Sequence, residues 1–326
     1  MQNINSSYSE AKSFRFQNRF DKSRSIIDNH IHMENSTRYL KAVRESTDSP
    51  NSLYWFEDKM NRYIKIFGNV ENYYFNKSIL FHRFSIKDRA VELAQKRLNL
   101  IIQKNIKSIT NKKPINWSPL AARALLDAKN SLDSHQIPFF LISGTLLGVI
   151  REDKLLEHDY DIDIGIDETV SYEKITSAFL STGLFEPEEN NFQNYFFSFT
   201  HLNGTKIDIF IHYKINEKYR HRTSYVAWDN THFDLKPYTF LNQEFLIPKD
   251  PEKYLEENYG NWQTPVPNYN TLLDTPNLLQ ISADDYIFQL LILMAESFQK
   301  NNNFNFIRAA KLYHSLTGSS EYLNTL

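Results

Sequence analysis

The chain contains no cysteine, which excludes disulfides and Cys-ligated zinc. Glycine is scarce, eight in 326 residues, so each glycine in a candidate loop carries information. Positive charge is not in surplus. With 37 Lys and Arg against 39 Asp and Glu the formal net charge is −2, which argues against a nucleic-acid duplex as partner. Long hydrophobic runs are also missing. The longest, YIFQLLILMAESF at 286–298, falls short of the ~20 residues a membrane helix needs. The N-terminal MQNINSSYSEAKSFRFQNRF has no apolar stretch of a signal peptide. No G-x-x-x-x-G-K-[ST] loop occurs, so a P-loop ATPase is not indicated. The expectation is a cytoplasmic protein without a transmembrane segment, free to sit peripherally at the inner membrane face.

Aromatic residues, by contrast, are abundant at 14%, enough to supply core area and binding-groove walls. The first sixty residues are polar and weakly periodic, and read as a loosely organised helical region. Val91, Ala94, Leu98, Ile101 and Ile102 recur at helical spacing, and TNKKPIN at 110–116 reads as a linker. From 118 onward helices and strands interleave: a helix with an Ala/Leu stripe, a short strand IPFFLISG, a helix TLLGVIRE, a strand DIDIGI and a further helix. Two strands then join around Asn203-Gly204, a hairpin signal. The chain turns helical again from Ser282. This pattern predicts an α+β protein with a mixed sheet flanked by helices. It divides into a helical N-terminal accessory region (1–112), a catalytic domain (113–275) and a helical C-terminal extension packed on that domain (276–326).

The stretch FLISGTLLGVIREDKLLEHDYDIDIGI, 140–166, carries the chemistry. Strand side chains alternate faces, so Ile162, Ile164 and Ile166 point into a core while Asp161 and Asp163 share the other face. Two like charges on one face repel and resist desolvation. A hard divalent cation such as Mg²⁺ or Mn²⁺ would relieve both, with waters and substrate phosphates completing its oxygen shell. KIDIFIHY repeats the logic: Lys206, Asp208, Phe210 and His212 share a face. If the two strands are neighbours, Asp208 joins Asp161 and Asp163 in a metal-phosphate site. The competing reading is an ordinary amphipathic edge strand with solvent-facing acids. Ser143-Gly144-Thr145 shifts the balance, because a glycine at a strand-to-helix turn lets backbone N–H groups approach phosphate.

The ordered set of a Ser-Gly turn, a D-h-D pair (h, hydrophobic) and a later acid resembles the nucleotidyltransferase superfamily. More narrowly, GTLLGVIREDKLLEHDYDIDIGI resembles the LicD family of phosphocholine and fukutin-type ribitol-phosphate transferases. FLIPKDPEKYLEENYGNWQTPVPNY, 245–269, is similar to a second motif of that family. The resemblance covers about 118–270. It implies a nucleotidyltransferase-like fold and a metal-dependent transfer from a CDP-linked small-molecule donor to a glycan acceptor. Asp161 and Asp163 would hold the metal and the donor pyrophosphate. Asp208 would be the third acid, as ligand or base. Gly144 and Thr145 would form the phosphate-side turn, Arg151 and His158 would lie near donor phosphates, and Tyr259, Gly260 and Trp262 would shape the far wall. His158 could equally be structural, and Lys206 could neutralise a phosphate or only pair with Asp208. Asp153 stands where the family has Gly. Tyr160 stands where many members have Asp, and falls on the isoleucine face by alternation. Two other readings remain: a nucleotidyltransferase attacking the α-phosphorus of an NTP, and a non-catalytic member that binds partners in glycan assembly.

Overall fold

The computed structural model describes residues 4–108, 117–157, 159–188 and 194–326, and the chain divides into two compact units. One comprises Met1–Ile109 with Ala283–Leu326. It is helical: α1 (Ile4–Phe16), α2 (Phe20–His30), α3 (Thr37–Glu45), α4 (Leu53–Phe67), α5 (Val70–Arg83) and α6 (Lys87–Gln103). The loosely organised region expected at the N-terminus is in fact well packed. Ile27, Tyr39, Val43, Phe56, Met60 and Tyr63 form a closed core. Several of its members are aromatic, and large rings bury much area from few positions, so a polar sequence with weak periodicity still closes a core.

The other unit, Thr110–Ser282, contains α7 (Trp117–Ser134), β1 (Phe140–Leu141), α8 (Ser143–Glu152), β2 (Asp161–Asp167), α9 (Tyr172–Ser181), β3 (Phe185–Pro187), β4 (Phe196–His201) and β5 (Lys206–Ile215). It continues through β6 (Lys218–Arg222), β7 (Val226–Thr231), β8 (Leu235–Phe240), β9 (Gln243–Pro248), α10 (Pro251–Tyr259), α11 (Thr271–Asp274) and β10 (Leu278–Gln280). The mixed sheet runs β10-β7-β6-β5-β2-β1-β9-β8, with β4 added on β5 and β3 on β4. β2 and β5 are parallel, while β1 lies antiparallel to β2 and parallel to β9. The Asn203-Gly204 hairpin forms as predicted, joining antiparallel β4 and β5.

The C-terminal helices α12 (Ala283–Gln299) and α13 (Asn303–Thr317) group with the N-terminal helices. α12 packs along α6 and α13. Its buried Asp285 accepts from Lys87 Nζ at 2.9 Å and pairs with His82 Nε2 at 2.7 Å. That carboxylate needs its partners, because an unpaired buried charge is strongly unfavourable.

β2 is not an edge strand. It lies between β5 and β1, which overturns the edge-strand reading, and Asp161 and Asp163 are only partly exposed. Ile162, Ile164, Ile166, Ile207 and Ile209 are fully buried on one face. On the other face the acids come first along the strands. Phe140, Phe210, His212, His221 and Trp228 follow and are buried. Gly165 belongs to this second row. A Cβ there would meet the Phe140 ring at 2.3 Å, so the ring of β1 lies directly over the glycine of DIDIGI.

Candidate active site

Parallel pairing sets Asp163 opposite Asp208 and Asp161 opposite Lys206. The three acids named from the sequence therefore meet on one face of two adjacent strands. β4 adds Ser198, opposite Asp208 in the antiparallel register, whose hydroxyl donates to Asp208 Oδ1 at 2.6 Å. Lys206 Nζ lies 2.7 Å from Asp208 Oδ1 and 2.8 Å from Oδ2.

The start of α8 closes the other side. Gly144 N–H donates to Asp163 Oδ2 at 3.2 Å, and Thr145 Oγ1 accepts from Asp163 N–H at 2.8 Å. Glycine at 144 leaves room for the acids. A Cβ would meet Asp159 Oδ2 at 2.3 Å and Asp163 Oδ2 at 3.5 Å. Ser143 adopts φ +48°, a left-handed conformation uncommon for a non-glycine residue. Its N–H donates to the Tyr254 phenol at 3.4 Å. Tyr254 and Tyr259 belong to α10, so the second motif packs against the first. Arg151 reinforces the junction by donating to the Trp262 carbonyl at 3.2 Å, while its other nitrogens bond Glu152.

Electrostatics follow from crowding. Burial, then the charge of Asp159, pushes Asp161 up to about 6, against the opposing pull of Lys206. Burial raises Asp208 to about 6 as well, although Lys206 and Ser198 lower it. Asp163 is raised well above the usual carboxylate range, first by burial and then by Asp161, Asp159 and Asp208. Lys206 loses hydration, yet Asp208, Asp161 and Asp163 hold it above the ordinary lysine range. Tyr259 is raised by burial and by the nearby Asp163 charge. Such mutually perturbed carboxylates mark functional sites more often than surfaces.

Ser198 and Tyr254 are site residues that the sequence reading did not single out. Asp159 stands at the same every-second-residue spacing as Asp161 and Asp163, but the sequence reading gave it no role. Ser198 and Tyr254 arrive from β4 and α10 through non-local pairing. His158 lies outside the described residues. Tyr160 departs from expectation. The strand begins at Asp161, so alternation does not reach Tyr160. Its side chain is 67% exposed rather than on the isoleucine face. Asp153 ends α8 at φ +51°, ψ +32°, which is why a glycine suits this position in similar sequences. Aspartate is among the few residues that tolerate it.

Among the described residues no three His, Cys, Asp or Glu side chains are arranged to hold a metal ion. The donor chemistry still fits a hard divalent cation: carboxylate oxygens only, crowded by like charge, beside a glycine turn. One of the acids, Asp208, is engaged by Lys206 and Ser198.

Residues 136–250 match the family described as LicD/FKTN/FKRP, nucleotidyltransferase domain. This segment is similar to the LicD-type domain. The chain is 27% identical to the human ribitol-5-phosphate transferase FKTN over 188 residues, 52% of this chain and 40% of that protein. It is 28% identical to the macaque protein of the same name over the same shares. An uncharacterized protein of Rickettsia typhi is 28% identical over 143 residues, 42% of this chain and 44% of that one. The chain thus spans less than half the length of these relatives. The matched segment contains β1, β2, β4 and β5 and every acid of the site. No helix among the described residues is long and apolar enough to cross a membrane.

Proposed function

We propose that the chain is a metal-dependent phosphotransferase that moves a phospho-choline or phospho-polyol group from a CDP-activated donor to a sugar hydroxyl of a cell-surface glycan. The observation that carries this reading is the register of β2 on β5, which sets Asp163 opposite Asp208 with Asp161 one pair away, beside the Gly144 turn of a LicD-type segment. The relatives named ribitol-5-phosphate transferase support the class of transferred group.

In the proposed reaction the acceptor oxygen attacks the donor phosphorus that bears the carried alcohol. A new P–O bond forms, the pyrophosphate bond to CMP breaks, and the hydroxyl proton passes to a base. Asp208 suits the base role, because a carboxylate raised to about 6 is a better proton acceptor than an ordinary one. Asp161 and Asp163 would hold Mg²⁺ or Mn²⁺, which when bound supplies charge neutralisation for the pyrophosphate. Gly144 and Thr145 fix Asp163 through its carboxylate and its N–H. The buried Tyr254 of α10 fixes the turn through Ser143. Catalysis would come from positioning and fixed charge.

The test is product analysis with purified protein, Mg²⁺, a panel of CDP-linked alcohols and a glycan acceptor. CMP release with acceptor modification is expected. Pyrophosphate release from an NTP would replace this reading with nucleotidyl transfer. No turnover and no metal-dependent nucleotide binding would leave a non-catalytic binding role.

A further inference from the structure

Asp208 is held by two donors. Lys206 Nζ spans both its oxygens at 2.7 and 2.8 Å, and Ser198 Oγ takes one of them at 2.6 Å. Lys206 is also the register partner of Asp161. Its side chain is 37% exposed, so the ammonium can leave toward solvent without crossing packed core. The other basic residue named at the site, Arg151, is turned to Glu152 and the Trp262 carbonyl. An acid cluster of this density needs a counter-charge when no divalent cation is present.

We propose that Lys206 is the resident counter-ion of the acid cluster, and that it competes directly with the divalent cation for Asp161, Asp163 and Asp208. The inference rests on the metal-dependent reading above. It assigns Lys206 a task in the unloaded protein. The lysine holds the carboxylates together and sets a threshold, so that the cation enters only when its higher charge outcompetes one ammonium.

The experiment compares the full chain with Lys206→Met, Lys206→Gln, Lys206→Arg and Asp161→Asn, all stripped with EDTA. Mn²⁺ binding is read by electron paramagnetic resonance of the free ion, and melting temperature is read in EDTA. Removing a positive charge from the cluster should tighten Mn²⁺ by about tenfold at moderate ionic strength. Lys206→Met should therefore bind Mn²⁺ more tightly while melting lower in EDTA. Lys206→Gln, whose amide can still donate to Asp208, should do the same with a smaller loss of stability, and remains informative if the Met variant does not fold. Lys206→Arg should keep wild-type affinity. Unchanged or weaker Mn²⁺ binding in both neutral variants overturns the counter-ion role. If the wild type binds Mn²⁺ and Asp161→Asn abolishes it, the metal site survives that failure. If the wild type binds none, both claims fall together.

Discussion

Asp163 and Asp208 stand directly opposite each other on adjacent parallel strands, with Gly144 N–H bonded to the first and Ser198 and Lys206 to the second. Like charges at neighbouring strand positions destabilise a sheet, so this pair is a local conflict of the kind that functional sites retain.

The conflict gives a prediction with two readouts. Asp163→Asn should lower transfer by about a thousandfold, the scale of removing a preorganised charge-stabilising group. The same change should raise the melting temperature in EDTA at pH 7.5. There the native state resists the charged form of Asp163, and an amide removes that penalty while its oxygen can still accept from Gly144. Each ~1 kcal/mol of relieved repulsion corresponds to about 2–4 °C. A variant that loses activity and also melts lower would point to a structural role instead.

Acid sensitivity should trace partly to His212. Burial lowers its pKa to about 4, and it packs edge-on against Phe140 and stacks on His221. A depressed folded pKa means that the unfolded chain takes up the proton first. The stability it contributes is complete above the unfolded value of about 6.5 and is lost as pH falls toward 4. His212→Phe should flatten the fall in melting temperature between pH 7 and pH 5, read by thermal denaturation in metal-free buffer. An identical slope in variant and wild type would exclude His212 as the sensor.

Two glycines of GTLLG should respond differently to alanine. At Gly144 the new methyl would press on Asp159 Oδ2, a side-chain atom. At Gly148 it would press on the Lys154 carbonyl at 2.5 Å, which is backbone. Gly144→Ala should therefore lower transfer about a hundredfold by misplacing the turn, with little loss of stability. Gly148→Ala should cost about 1–3 kcal/mol of stability by overpacking. Denaturant titration alongside the transfer assay separates the two.

Asp153 offers a purely conformational test. Its φ of +51° ends α8 in the left-handed region. Asp153→Gly should be tolerated, whereas the β-branched Asp153→Val should lose about 1–2 kcal/mol. Equal stability of the two variants would show that this turn relaxes freely.

Much of the site was legible because strand alternation is local. DIDIGI and KIDIFIHY each declared a buried isoleucine face and an acid face without reference to the rest of the chain. What alternation could not supply is where a strand starts. Tyr160 lies one residue before β2 and so escaped the rule. Ser198 and Tyr254 carry no motif of their own and reach the acids only through the β4–β5 register and the packing of α10. The N-terminal core was invisible for another reason: aromatic side chains spread over separate helices close it, leaving little periodicity in any one segment. Asp285 stands in the first turn of α12 and is a buried partner of His82 and Lys87, a pairing that no local pattern announces.

The tight hairpin that joins β4 to β5 holds Ser198 against Asp208. Because side chains alternate, slipping β5 by one residue would send Asp208 to the isoleucine side and bring a neighbouring isoleucine to the acids. Lengthening or shortening the Asn203-Gly204 bend would therefore erase the constellation without touching any of its members. A change of loop length that leaves every acid in place would then cost the proposed transfer as surely as loss of an aspartate.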